Sequence, residues 1–206
     1  MPIINPTAYI GDYHNGNYVK IDRLGNISFH GDATVWDDIR FPATGLNPPG
    51  PVNEPTRDTD TGLLDFGASG TDTVAFTAQL PHSYKPDSSL FPHVHWMKTS
   101  SASGNVVWEL QYKLARIGEV IDGSWTTLTA STVADGTPDT NTEGLHLITP
   151  LGEIDGTGLG LSDMIVMKLS RLGSDGGDTY GADCTLLEAD VHYEQDVFGS
   201  NYEYSR

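Results

Sequence analysis

Two histidines separated by a single residue, His93 and His95, stand in the stretch "FPHVHWMKT" at 91–99. On an extended strand residues i and i+2 share a face, so both imidazoles project the same way. Imidazole nitrogens ligate zinc, copper, nickel and iron, and a pair on one strand is half of a metal site.

A cupin-type centre would add a carboxylate a few residues on and a third histidine from a later strand. Here Trp96, Met97, Lys98, Thr99, Ser100 and Ser101 follow, and no acid appears until Glu109 on the next strand. The glycines that bracket a cupin motif are also out of place. His192, inside a later strand, and His82, just after an earlier one, are the available third ligands. A metal on His93, His95 and His192 is therefore the minority expectation. The main one is that these histidines pack beside Trp96 and hydrogen-bond within the sheet or across a subunit contact, with no metal and no other cofactor.

Other chemistry is thinner. The acid pairs Asp37–Asp38, Asp58 with Asp60, Asp175 with Asp178 and Glu188 with Asp190 could in principle serve glycoside hydrolysis. With 28 acidic residues in a chain of 206, such pairs arise from composition alone. "DTDTG" (58–62) and "SDGGDTYGAD" (174–183) gather oxygen ligands around glycine, but neither has EF-hand spacing, and both read as solvated turns. There is no G-x-S-x-G elbow, no G-x-G-x-x-G after a strand and no P-loop, and "GTGLGLSD" (156–163) lies between a strand end and an acidic turn. No catalytic residue is expected, and the chain reads as a non-enzyme.

The elements that must position these residues are strands. In "NVVWELQYKLARI" (105–117), Val106, Trp108, Leu110, Tyr112 and Leu114 alternate with polar side chains, the period of a half-buried antiparallel strand. "LLEADVHYE" (186–194) repeats it, with Leu187, Ala189, Val191 and Tyr193 expected inward and Glu188, Asp190, His192 and Glu194 outward. Shorter strands are expected at 18–22, 26–30, 73–80, 93–98, 125–131, 144–151 and 164–172. No amphipathic helix of ordinary length is legible. "LNPPGPVNEPTRDTDTG" (46–62), with four prolines, is expected to be a long surface excursion.

Many short strands joined by 23 glycines and 12 prolines point to an all-β chain: an antiparallel, jelly-roll-like β-sandwich with an extended N-terminal arm. The expected division is an arm and small hairpin over 1–35 and a single sandwich domain over 36–206. A net charge of −17 disfavours nucleic acid and an anionic membrane surface, which both need cations. "MPIINPTAYIGDYHNG" has neither the basic nor the apolar region of a secretory leader, so none is expected there, and the chain has no apolar run long enough to span a bilayer as a helix. Cys184 is the single cysteine, which excludes an intrachain disulfide.

Aromatic residues carry a second signal. Four tryptophans and nine tyrosines can build a core or a sugar-stacking surface. Trp96 and Trp108 alternate with apolar neighbours and read as core. Trp36, before "DDIRFP", reads as a junction between arm and body, and the aromatic C-terminus "DVFGSNYEYSR" as a tail that docks on a partner.

The wording of the chain adds a resemblance. "NGNYVKIDRLGNISFHGDATVWDDIRFP" (15–42), "LPHSYKPDSSLFPHVHW" (80–96), "VVWELQYKLARIGEV" (106–120) and "LLEADVHYEQD" (186–196) occur in order across most of the chain. Together they resemble a family of tailed-bacteriophage virion proteins found among head and tail structural genes. The resemblance implies a capsid decoration (cement) protein on the virion exterior, contacting the major capsid protein and itself as a homodimer or homotrimer. Tyr9, Tyr13, Tyr18, Trp36 and Arg40 are the expected contact residues, from their aromatic spacing in a segment poor in apolar periodicity. A head-fibre or tail-tip protein that grips host-surface carbohydrate through exposed aromatics and calcium-bridged acids is the alternative, and a cupin-like metalloenzyme built on His93 and His95 is the third reading.

Overall fold

A computed structural model describes residues 6–50, 52–121, 123–133 and 142–203. In chain order the strands are β1 (Ala8–Asp12), β2 (Asn17–Ile21), β3 (Ile27–His30), β4 (Val35–Pro42), β5 (Thr56–Arg57), β6 (Leu64–Phe66), β7 (Thr71–Gln79), β8 (Phe91–Lys98), β9 (Asn105–Ala115), β10 (Thr126–Val133), β11 (His146–Pro150), β12 (Met164–Leu172) and β13 (Cys184–Gln195). Two short 3-10 turns are the helical content of the described residues. All pairings between these strands are antiparallel, in a four-stranded sheet ordered β10-β9-β12-β7, a six-stranded sheet ordered β11-β8-β13-β6-β5 with β4 also on β13, and a three-stranded sheet β1-β2-β3. The larger two form an antiparallel, jelly-roll-like β-sandwich.

Alternation explains the layers. In β9, Val106, Trp108, Leu110 and Tyr112 are buried, and in β8 Val94 and Trp96. Trp96 from the larger sheet and Trp108 from the smaller one approach to 6.4 Å between ring centroids, and Phe66 meets Trp108 edge-on at 5.1 Å. Each such burial is worth about 1.5–3 kcal/mol, so this aromatic contact across the layers is a main support of the sandwich. The Trp96 Nε1–H donates to Thr149 Oγ1 at 2.9 Å, which binds β8 to β11 through the core.

β13 departs from the simple alternation. Its register against β8 shifts between Leu186 and Glu188. Cys184 and Leu186 face the core before this bulge; Ala189, Val191 and Tyr193 face it after, and Leu187 is only half-buried. The expected inward Leu187 is thus corrected to Leu186, because a bulge inserts one residue and reverses the phase. The bulge falls where the neighbour of β13 changes from β6 to β4.

The N-terminal segment also differs from an extended arm. Ala8–Asp12 pairs with β2, adding a third strand to the expected hairpin. β1 is exposed throughout and has no apolar face to reveal it. Gly11 permits the pairing: its φ is +117° and a Cβ there would lie 2.8 Å from the Asn17 carbonyl oxygen. The C-terminal tail docks on its own chain. Phe29 N–H donates to Asp196 O at 2.6 Å, Phe198 packs edge-on against Phe29 at 5.5 Å, and Ser162 and His82 hold the backbone at Glu203 and Ser200.

The proline-bearing excursion is anchored as well. Leu46 and Pro55 are buried, and Arg57 donates to Gly62 O and Leu46 O, each at 2.6 Å. Asp58 accepts from Asp60 and Thr61 N–H, so "DTDTG" is a capped turn. "SDGGDTYGAD" is a turn exposed over residues 174–177, as expected, but it is not solvated throughout. Its Asp178 is buried against Arg171 of β12, the Nε and Nη2 donating to the two carboxylate oxygens at 3.0 and 2.9 Å. The remaining Arg171 donors reach Phe66 O, Ala182 O and Tyr180 O. A fully satisfied fork tolerates burial; half of one does not.

Arg171→Ala should therefore destabilise the chain by about 3–5 kcal/mol in urea unfolding, because it strands a buried carboxylate. Pairing it with Asp178→Leu should recover part of the loss; a double variant no better than the single one would refute this account.

Candidate functional site

The outer face of the larger sheet collects most of the titratable groups that face one another. On β8, Phe91, His93 and His95 point outward while Pro92, Val94 and Trp96 point to the core. Antiparallel register then assigns each its neighbours, since directly opposed residues share a face. Asp190 of β13 lies opposite His93, Glu188 opposite His95 and His192 opposite Phe91. On the far edge of β13, Asp38 of β4 lies opposite His192 and Arg40 opposite Asp190. On the other edge of β8, β11 brings Ile148 opposite His95 and Pro150 opposite His93.

Glu188 is neutralised by Arg40, whose Nη2 donates to Oε2 at 2.7 Å while Nε bonds Oε1. Asp190 has no such partner. It is buried, its Oδ2 lies 3.6 Å from both His93 Nε2 and His95 Nε2, and its Oδ1 has no hydrogen-bond partner among the described residues. The 3.6 Å separations exceed hydrogen-bond range. His192 Nε2 is 2.8 Å from Asp38 Oδ1, yet the two are not aligned as donor and acceptor, and that oxygen too is left without a hydrogen bond. His95 Nδ1 and His146 Nε2 are hydrogen-bonded at 2.8 Å, and the His93 ring bonds the Phe91 backbone.

Burial pushes the Asp190 carboxyl up from 3.8 to about 7, helped by the charges of Glu188 and Asp38. Burial lowers His93 and His95 below the usual imidazole value, and the neighbouring histidines His192, His93 and His146 act in the same direction. Near neutral pH His93 and His95 thus offer unprotonated nitrogen, while Asp190 is divided between its carboxyl and carboxylate forms. Two overlapping triples, His93–His95–Asp190 and Asp38–His93–His192, have their ligand-type atoms within 4.8 Å of one another.

A groove of about 640 Å³ runs beside the cluster, walled by Phe91, Pro92, Ile148 and Pro150 and floored by His93, His95, His192 and Asp38. A second depression of about 460 Å³, on the Arg40 side, shares Asp38 and His95 with it. Trp36 of β4 packs against Phe91, one wall of the first, at 5.7 Å between ring centroids, with the two residues 51% and 37% exposed. Of the four tryptophans, Trp96 and Trp108 are core, and Trp125 is capped by Lys168 and Lys113 at 4.2 and 4.8 Å. Trp36 alone is free to stack on a ligand.

The expected site residues separate into two groups. Trp36 and Arg40 belong to the histidine face. Tyr9, Tyr13 and Tyr18 form their own cluster on the three-stranded sheet, with centroids 4.5–5.4 Å apart and Tyr18 stacked on His30. His93, His95 and His192 do come together, whereas His82 is occupied by Ser200 O and Ser162 Oγ. Asp190, Asp38 and His146 are members that the linear spacing missed. The carboxylate absent after His95 is supplied by the neighbouring strand, and the outward phase of Asp190 in "LLEADVHYE" was its one sequence signal.

No family model matches the chain, and no curated protein matches it. Among solved structures, it is similar to Arthrobacter globiformis T6 isomalto-dextranase complexed with panose, at 17% identity and a TM-score of 0.40 over 75% of this chain and 23% of that one. It is also similar to the Clostridium thermocellum xylanase 10B CBM22-1–GH10 modules complexed with xylohexaose, at 9% identity and 0.36 over 78% and 28%. A third is the carbohydrate-binding module TmCBM61 in complex with β-1,4-galactotriose, at 8% identity and 0.27 over 78% and 88%. The chain spans about a quarter of the length of the first two. Overlaps this partial leave the sandwich to be read from its own strand pairing and the function from its own side chains.

The folded chain holds the Asp190 proton from 3.8 up to about 7, a window in which the unfolded chain has released it. Ionisation therefore opposes folding, and stability falls as pH rises through that window. His93 and His95 act in the opposite sense just below 6.5, so a difference against Asp190→Asn isolates the carboxyl. In metal-free buffer, the wild type should lose stability relative to Asp190→Asn between about pH 5 and 7.5; parallel urea-unfolding curves at all pH values would refute this.

Proposed function

We propose that the chain is a non-enzymatic bacteriophage virion protein that binds host-surface carbohydrate on the outer face of its larger sheet. The observation that carries this reading is the groove walled by exposed Phe91 over a floor of Asp38, His93 and His192, with the exposed Trp36 ring packed against Phe91 beside it. A sugar ring has an apolar C–H face and a rim of hydroxyls. Aromatic rings cover the first, and carboxylates and imidazoles exchange hydrogen bonds with the second. The groove supplies both at once, on strands rather than mobile loops, which lowers the ordering cost of binding. The virion setting rests on the sequence resemblance, and the −17 charge suits a soluble exterior surface.

The capsid decoration reading keeps one observation in its favour. Tyr9 and Tyr13 are 46% and 52% exposed on a three-stranded sheet, in a cluster with Tyr18 that uses none of the groove. Exposed tyrosines are favoured anchors at protein interfaces, so this cluster suits contact with the major capsid protein or with a second copy of the chain.

The two surfaces are separable by experiment. On a glycan array, wild type should bind a subset of glycans and recover them intact, and Trp36→Ala with Phe91→Ala should weaken binding at least about tenfold without altering the unfolding curve. A full array without binding sinks the carbohydrate reading, and a shortened glycan would make the protein a hydrolase. Deleting residues 1–30 should leave the sandwich folded and the glycan signal intact while abolishing attachment to particles; full attachment by the deletion would end the role given to the tyrosines.

A further inference from the structure

The histidine–carboxylate cluster has a feature that sugar binding does not require. Asp190 is buried, paired with no cation, and keeps a carboxylate oxygen without any hydrogen bond among the described residues. Leaving a buried polar atom unsatisfied costs about 1–3 kcal/mol, more for an ion, so the carboxyl, whose own contact is with Glu188, has an oxygen, Oδ1, open to a further partner. The separations say what kind. Around an ion with bonds of about 2.0–2.2 Å, tetrahedral ligand atoms stand about 3.3–3.6 Å from one another. Asp190 Oδ2 lies 3.6 Å from each of His93 Nε2 and His95 Nε2, too far for a hydrogen bond and right for shared ligation.

The surroundings are those of ligating histidines. Such a histidine commonly gives its other nitrogen to a fixed partner, which sets its tautomer and aims its lone pair. His95 does so through Nδ1 to His146 Nε2 at 2.8 Å, and the His93 ring through the Phe91 backbone. In both cases Nε2 is the atom turned toward Asp190. We propose that His93 Nε2, His95 Nε2 and Asp190 hold a divalent transition-metal ion on the outer face of the larger sheet, with His146 as a positioning residue. Two imidazoles and one carboxylate favour zinc, nickel or copper over calcium and magnesium, which take all-oxygen shells. Asp38 and His192, which form the second triple through His93, stand beside the ion. The same residues floor the groove, so an ion with an open position would meet a bound ligand's hydroxyls.

The test uses the full, untagged chain, stripped with chelator and titrated calorimetrically with zinc chloride, nickel chloride and, in parallel, calcium chloride. Zinc or nickel should bind one ion per chain and raise the melting temperature. His93→Ala, His95→Ala and Asp190→Asn should each abolish binding, and His146→Ala should weaken it about tenfold to a hundredfold while the unfolding curve of the metal-free protein stays near wild type. The proposal is overturned by wild type that binds neither metal, by binding that survives His93→Ala and Asp190→Asn, or by calcium binding as tightly as zinc. Metal binding is read without any glycan. It should persist in Trp36→Ala with Phe91→Ala, so the failure of either proposal is seen independently of the other.

Discussion

Strand β13 is hydrogen-bonded along both edges, and the site depends on that constraint. One edge lies on β8 from Cys184 to His192, and the other passes from β6 to β4 at the bulge. Because opposed residues in an antiparallel ladder share a face, this register alone puts Asp190 against His93 and His192 against Asp38. A slip of one residue would turn Asp190 and His192 into the core and bring Ala189 and Val191 out. The apolar phase of the strand therefore holds the polar phase in place. The hydrophobic contacts of Ala189, Val191 and Tyr193 are what position a carboxylate between two imidazoles.

The bulge at Leu187 reconciles two demands. Before it, Cys184 and Leu186 must face the smaller sheet; after it, Asp190 and His192 must face outward beside β8 and β4. A strict alternation from Cys184 would have delivered the opposite phase. Bulges recur beside functional sites for this reason: one extra residue re-aims the side chains that follow.

Two buried carboxylates show how environment decides the role of an acid. Asp178 meets the full fork of Arg171 and also accepts from Val107 N–H, so it serves as a structural tie. Asp190 feels the Arg40 charge only in part, since Arg40 is hydrogen-bonded to Glu188, and burial with the charges of Glu188 and Asp38 outweighs it. The first carboxylate is satisfied and inert; the second keeps its binding capacity. The sheet scaffold makes this durable, because four paired strands hold the ligand-type atoms with little freedom, whereas a loop would have to be ordered on binding.

Much of the architecture was legible in the sequence. The alternation of Val106, Trp108, Leu110 and Tyr112, the shared face of His93 and His95, and the outward phase of Asp190 and His192 follow from the two-residue period of a strand, a local property. β1 was not legible, because a strand exposed on both faces has no hydrophobic alternation. Leu187 was misassigned because nothing in "LLEADV" announces where one residue drops out of the ladder. Asp178 looked like one of many solvated acids because nothing in its loop shows that the chain folds back to bury it against Arg171 of β12. The types and phase of the site residues were thus determined by the chain itself. Which carboxylate stands beside which histidine was decided only by the tertiary structure, because cross-strand register depends on long-range pairing between segments as much as 160 residues apart, from Val35 of β4 to Gln195 of β13.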